Sequence, residues 1–183
     1  MPRHLLTILA GVTAALITTG CSSTPQPAAP STTRTDQPTT APARLLPLDL
    51  ATVDTSSADA VALAVATTAY TLQPGLDSDP NDGMKRASAL LDQRLTNALN
   101  AYRPASSAGA EWSTWTRQHA YITATAALST QTRPPDGHTA LRYLTITQTV
   151  HLNRQITTKP AIIVLITLAR TPAGWRVTHL TQL

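Results

Sequence analysis

The hydrophobic pattern of this 183-residue chain changes its period near residue 120, and this change limits the fold more than any other feature. Before it, apolar residues recur at three- and four-residue spacing, which is typical of helices packed on one side. After it, apolar and polar residues alternate, as in strands with one buried face. Helices followed by strands with short turns predict an α+β domain. We expect two to three N-terminal helices packed on a curved antiparallel sheet of about four strands.

Three helices are predicted before the change of period. The first begins at Ser57, a plausible cap, and the second has Asp79 as its cap and an apolar stripe that continues without a break to Tyr102. The third is short and covers residues 110–118. In the second half, alternation predicts strands around 122–128 and 144–152 and after Trp175, the second of them with a bulge or two apolar faces. The run AIIVLITLA, residues 161–169, is apolar throughout and is expected to be the central strand.

The N-terminus has the pattern of an export signal. Arg3 gives a positive start, and an uncharged apolar run follows from Leu5 to Ile17. The run is short for a membrane span, which needs about 20 residues. We therefore expect residues 1–20 to be a signal peptide that is removed. An uncleaved signal anchor is the alternative.

The residues that follow the apolar run resemble the lipobox of bacterial lipoproteins. Gly20 precedes Cys21, the chain's one cysteine, and Ser22-Ser23 follow it; Thr18 departs from the pattern, which prefers Leu there. The resemblance implies cleavage between Gly20 and Cys21 and lipidation of the Cys21 sulfur by a diacylglycerol, with acyl chains such as palmitate. Two or more acyl chains give a stable anchor. The protein is then expected on the extracytoplasmic face of the cell membrane.

The segment from residue 21 to residue 56 is rich in Thr, Pro and Ala and has little apolar periodicity. Such a composition buries too little apolar surface to offset its ordering entropy. We expect it to be a disordered tether, with the folded domain at residues 57–183. The apolar patch Leu45–Leu48 is expected to dock on the domain.

The charged residues predict no nucleic-acid site, because arginines are scattered and Lys85, Arg86 and Arg94 share a helix with acidic residues. No catalytic motif, metal-ligand spacing or cofactor fingerprint is present, so we expect no enzyme, metal or cofactor. His151 and His179 could share a site if their strands are neighbours, although polar sheet histidines are the simpler reading. The run from Asp77 to Gly83 departs from a calcium loop and favours a helix cap.

Trp112 and Trp115 are three residues apart and therefore lie on one helical face. They either complete the core of a chain that has no Phe or form a partner-binding anchor, because exposed Trp is common at interface hot spots. The neighbouring Glu111 either stabilises the helix dipole or acts as a base.

Residues 57–183 resemble actinobacterial envelope proteins with a nuclear-transport-factor-like, cystatin-like cone domain. The resemblance depends on four short stretches: Asp77-Ser78-Asp79-Pro80, Arg86-Ala87 with Leu90-Leu91, Trp112-Ser113-Thr114-Trp115, and Gly174-Trp175-Arg176-Val177. Such domains occur in Mce-associated proteins and in conjugation-channel proteins of the TcpC and type IV secretion scaffold kind. The channel proteins have a membrane-spanning helix where this chain has the lipobox. Together, the lipobox and the cone-domain resemblance imply a non-enzymatic lipoprotein that assembles with or assists an envelope complex, bound through the sheet and the Trp112/Trp115 helix.

The resemblance also leaves an alternative. A small apolar ligand, or a ketosteroid-isomerase-like reaction, would occupy a cavity between the helices and the sheet. Such a site needs a carboxylate and a tyrosine that face one deep pocket. The candidates are Glu111, Asp92, Tyr121 and Tyr143.

Overall fold

The computed structural model describes residues 43–104 and 108–183, which form an α+β domain. The fold class predicted from the change of period is confirmed. The helices are α1 (Ala58–Tyr70), α2 (Asn81–Arg86), α3 (Gln93–Ala101) and α4 (Gly109–Arg117). The strands are β1 (Tyr121–Leu128), β2 (Thr139–Leu152), β3 (Gln155–Thr158), β4 (Ile162–Thr171) and β5 (Gly174–Gln182).

The sheet is antiparallel, with the strand order β1-β2-β4-β5, and β3 pairs with the far end of β2. Strand β4 therefore lies inside the sheet, as its apolar run predicts. The irregularity that the sequence suggested for β2 is absent there, since β2 pairs with β1 and β4 without interruption. A register shift occurs instead between β4 and β5, at Thr167/Leu168. Strand β3 is an addition to the prediction, and its four residues are all exposed.

Helix α1 packs along one face of the sheet and forms the main core. Ser57 caps it as expected, because its side chain accepts a hydrogen bond from Ala60 N at 3.2 Å. Val61 and Val65 of α1 are fully buried together with residues from β2 and β4 such as Leu144 and Ile166. Burial of side chains of this size contributes about 1.5–3 kcal/mol each.

The prediction of one long helix from Asp79 to Tyr102 is wrong. The chain forms α2, a short 3-10 turn and then α3, with Leu91 in an extended conformation between them. Leu91 forms a parallel bridge with Val177 of β5, and the amide of Asp92 donates to Val177 O at 2.8 Å. Asp92 then caps α3 by accepting from Leu95 N. The Asp92 cap and the hydrogen bond to β5 therefore interrupt the helix, although the apolar stripe in the sequence is continuous.

Part of the segment predicted as tether packs on the domain. Leu48 donates its amide to Arg86 O at 2.9 Å, so the expected docking of the Leu45–Leu48 patch is observed at its last residue. Val53 packs against the main core, and Thr55 O accepts from Trp175 N. The folded part thus extends back from residue 57 to Leu48. Residues 21–42 of the predicted tether lie outside the described residues, and for them it stays a prediction. Within the described residues, no helix is long and apolar enough to cross a membrane.

Candidate functional site

The two faces of the sheet differ in what covers them. Successive residues of a strand point to opposite faces, so the even-numbered residues of β1, β2 and β4 share one face and the odd-numbered residues share the other. The even face, here called the inner face, carries α1 and the main core. On the odd face, here called the outer face, every side chain of the described strands keeps part of its exposure to solvent.

The outer face is built from five strands held in register. Cross-strand pairs lie on the same face of a sheet, so the pairs Tyr143↔Leu165 and Thr145↔Ile163 place β4 residues beside β2 residues. The outer face consists of Tyr121, Thr123, Thr125 and Ala127 of β1; Leu141, Tyr143, Thr145, Thr147, Thr149 and His151 of β2; Ile156 and Thr158 of β3; Ile163, Leu165, Thr167 and Ala169 of β4; and Arg176, His179 and Thr181 of β5.

The outer face combines apolar side chains with hydroxyl groups and almost no charge. Ile156 and Ile163 are 55% and 39% exposed, although large aliphatic side chains normally favour burial. Threonines fill the centre, and Tyr121 stacks on His151 with ring centroids 5.8 Å apart. Among the outer-face residues just named there is no Asp, Glu or Lys, and Arg176 lies at the margin. Such a face favours contact with another surface of low charge.

Strand β4 is apolar on both faces, but only its inner face is covered by other described parts of the domain. Val164, Ile166 and Leu168 point inward and are fully buried, while Ile163 and Leu165 point outward and are not. A strand that is apolar on both sides is typical of a sheet covered on both faces. Here the described residues cover one face only. The apolar run 161–169 is the sequence signal for this surface, because a strand inside a sheet that is covered on one face only needs apolar residues on that face alone.

The inner face contains one buried charge, Arg142, which the sequence pattern does not predict. Arg142 is 2% exposed, on the same face as the aliphatic core. Its guanidinium donates to Asp136 in a two-bond pair, at 2.8 and 2.5 Å, and to Asp59 at the start of α1. The pKa of Asp136 lies below its ordinary value because of its hydrogen bond with Arg142. The network joins α1, the β1–β2 connection and β2, so its role is structural.

The two predicted partner-binding tryptophans lie mainly in a second core. Trp112 is 8% exposed and is buried with Leu72, Ile122 and Val150. Trp115 is half-buried at the edge of this core, and the Lys159 ammonium lies 4.7 Å from its ring centroid. Their positions match the interpretation in which they replace the missing Phe. Partner binding by this helix stays a prediction.

The candidate acidic and aromatic residues do not converge. Glu111 is exposed on α4 and accepts from Lys159 Nζ at 2.7 Å, while Asp92 caps α3. Tyr121 and Tyr143 lie on the outer face, away from the core. A deep pocket that these four residues share is therefore not formed.

The candidate histidine pair is also separated. His151 of β2 contacts β1, with its Nε2 3.1 Å from Thr123 Oγ1. His179 of β5 pairs with Thr167 of β4, so that β4 separates the two strands. The condition for a shared site is therefore not met, and the two histidines are polar side chains on the sheet face, as the simpler reading expects.

The carboxylates of the run from Asp77 to Gly83 are engaged by protein groups. Asp77 pairs with Arg86, and Asp82 accepts from Lys85 Nζ and from Ser78 N. Asp79 accepts from Asn81 N at 2.7 Å, next to the start of α2. These bonds agree with the interpretation of the run as a helix cap. The described residues contain no cluster of three or more His, Cys, Asp or Glu side chains arranged to hold a metal ion.

Two clefts lie on the helical side of the domain. One of about 510 Å³ separates the segment Arg44–Pro47 from the loop at Leu76–Ser78 and from α2, and it is lined by charges of both signs. The other, of about 210 Å³, lies between Tyr70, Met84 and Leu180. Burial raises the pKa of Tyr70. Pockets for small organic ligands are usually about 300–1,000 Å³, so the second cleft is small for the apolar ligand of the alternative function.

Gly20 and Cys21, the predicted cleavage and lipidation residues, lie outside the described residues, and both assignments remain predictions.

Comparisons with known proteins leave the family open. No family model matches the chain, and no curated protein matches it. Two solved structures are similar to it in part. The intermembrane space region of the chloroplast protein ARC6 is 15% identical over 60% of this chain and 85% of that one, with a TM-score of 0.34. A periplasmic fragment of TraM is 19% identical over 68% of this chain and 93% of that one, with a TM-score of 0.38. Superpositions of this quality carry no argument about function.

Proposed function

We propose that this chain is a non-enzymatic lipoprotein of the cell envelope, whose outer sheet face docks a protein partner. Acyl chains on Cys21 hold it at the extracytoplasmic face of the cell membrane, and the Thr/Pro/Ala-rich tether that follows Cys21 separates the anchor from the folded part that begins at Leu48. The partner belongs to an envelope complex of the conjugative-transfer, secretion or Mce-associated kind that the sequence resemblance implies.

The observation that carries this proposal is the uncovered apolar side of β4. Ile163 and Leu165 belong to a run that reads as a strand covered on both faces, yet solvent reaches both of them. Exposed apolar patches with polar surroundings mark interaction sites on soluble domains. The threonine hydroxyls around them keep the uncovered face compatible with water before the partner binds.

Photo-cross-linking in native membranes tests the docking surface. A benzoyl-phenylalanine at Tyr143 probes the outer face, and the same group at Tyr102 is a matched control, since Tyr102 is 46% exposed just after α3. We expect protein adducts from position 143 and few from position 102. Equal adducts from both positions, or adducts from position 102 alone, would contradict the proposal.

The anchor is tested separately with Cys21→Ser. We expect the unmodified chain to fractionate with membranes and its mature N-terminal peptide to carry the mass of the acyl chains. The variant is expected in the soluble extracytoplasmic fraction. A free thiol at Cys21 in the mature protein, or a variant that still fractionates with lipid, would refute the anchor.

A further inference from the structure

We propose that the occupant of the outer face is a second copy of this chain, packed sheet against sheet. The inference rests on the proposed function and narrows the protein docked on the outer face to another copy of the chain within the same envelope complex. Its first support is electrostatic. Partners of different sequence are commonly matched by complementary charge, and the outer face offers almost none. Apart from Arg176, none of the charged residues behind the chain's formal net charge of +4 is among the outer-face residues, so two copies that meet at this face bring few like charges together.

The second support is the geometry of the face. Two sheets pack about 10 Å apart with strands rotated by about 30°, as in β-sandwiches. Thr145, Thr147 and Thr149 follow one another along β2, and Thr125 pairs with Thr147 across β1. This array of small side chains lies next to the larger Tyr143, Leu165 and Ile163. Two copies related by a twofold axis can place the large side chains of one over the small side chains of the other.

The third support is area. Four strands about 4.8 Å apart, each about eight residues long at about 3.3 Å per residue, give a face of about 500 Å². Two such faces bury about 1,000 Å² together, which is the lower limit of specific interfaces. A dimer of this size is weak in dilute solution. Anchoring both copies in one membrane raises their effective concentration and favours the dimer there.

The test introduces a positive or a negative charge at Thr147, in the centre of the outer face. Two differently tagged copies of the full chain are expressed together and co-purified after cross-linking in native membranes. We expect Thr147→Lys in both copies, or Thr147→Glu in both, to reduce co-purification at least tenfold, because like charges then face each other. One Lys copy with one Glu copy should restore it. Ala98→Lys and Ala98→Glu on the exposed side of α3 should have no effect.

Thr125, which is exposed and pairs with Thr147, supplies the same charge exchange if a Thr147 variant is degraded. Failure of unmodified copies to co-purify overturns the inference, as does a Lys–Glu pair no better than Lys–Lys. The mass of the Tyr143 adduct separates this inference from the proposed function. An adduct of twice the chain mass supports the second copy, whereas an adduct with a different protein overturns it and leaves the docking surface in place.

Discussion

The inner and outer faces of the sheet are made from residues that are adjacent in sequence but differ in burial. Leu144 is fully buried beneath α1, while the adjacent Tyr143 is half-buried on the outer face. Ile166 and Leu165 of β4 differ in the same way. The inner residues therefore stabilise the fold, and the outer residues are available for contact. Hydrophobicity alone therefore does not separate the two roles in this chain, because β4 is apolar on both sides.

The largest effect is expected from truncation on the inner face. Leu144→Ala should lower the free energy of unfolding by about 4 kcal/mol, because it removes buried methyl groups and leaves a cavity. Leu165→Ala, on the outer face, should lower it by less than about 1 kcal/mol. Urea unfolding of both variants measures the contrast. Similar losses would mean that the outer face is also part of the core.

A somewhat smaller loss is expected in the second core. Trp112→Ala should lower the free energy of unfolding by about 3 kcal/mol, because the Trp112 side chain of α4 is buried against Ile122 and Val150 of the sheet. Folding is therefore disrupted more than partner binding. Thermal unfolding and cross-linking yield are measured on the same variant. A stable Trp112→Ala protein that no longer captures its partner would show that the residue is an interface anchor.

The buried charge of the inner face gives the next effect. Arg142→Ala should lower the free energy of unfolding by about 2 kcal/mol, since it removes charged hydrogen bonds to Asp59 and Asp136, whose carboxylates stay partly exposed. Arg133→Ala is the control, because Arg133 is a partly exposed neighbour that contacts Asp59 at 3.4 Å. Its loss should be below about 1 kcal/mol. Chemical denaturation compares them, and equal losses would assign the stability to surface charge rather than to the buried group.

The smallest effect is a pH dependence. The hydrogen bond with Arg142 lowers the pKa of Asp136 from its ordinary value of 3.8, so the folded state favours the charged carboxylate. The stability from this pair is present above about pH 4 and is lost as the pH falls through the lowered pKa. Asp136→Asn should therefore lose less stability between pH 5 and pH 2 than the unmodified chain. Parallel unfolding curves for the two proteins over this range would contradict the assignment.

The sequence predicts the local structure well where one signal dominates. Ser57 caps α1 as expected, and the alternation in β1 and β2 places the inner residues. The second helix was predicted incorrectly because Asp92 looks like an ordinary polar position in an apolar stripe. Only the folded chain shows that Asp92 N bonds to Val177 O of β5. Bonds between residues this far apart in sequence leave no local pattern.

The candidate site was predicted less completely. The sheet was expected as a contact surface, but the outer face needs the register of β2 and β4, which brings Tyr143 beside Leu165. Arg142 was missed because an arginine in a strand normally faces solvent, and its partners Asp59 and Asp136 are distant or in a loop. The tryptophans were identified from their spacing, but spacing does not show which neighbours bury them.

The central claim, that the outer face is covered by a partner at the membrane, is tested most directly by comparing thiol accessibility in intact cells and in dilute purified protein. Thr125→Cys reports on the outer face and Ala98→Cys on α3, and both positions are exposed in the isolated domain. A membrane-impermeant maleimide is expected to label Ala98→Cys equally in both settings. The same reagent should label Thr125→Cys in the purified protein but at least about tenfold more slowly in cells, since bound partners exclude reagent from their interface. Equal labelling of Thr125→Cys in cells and in solution would contradict the claim.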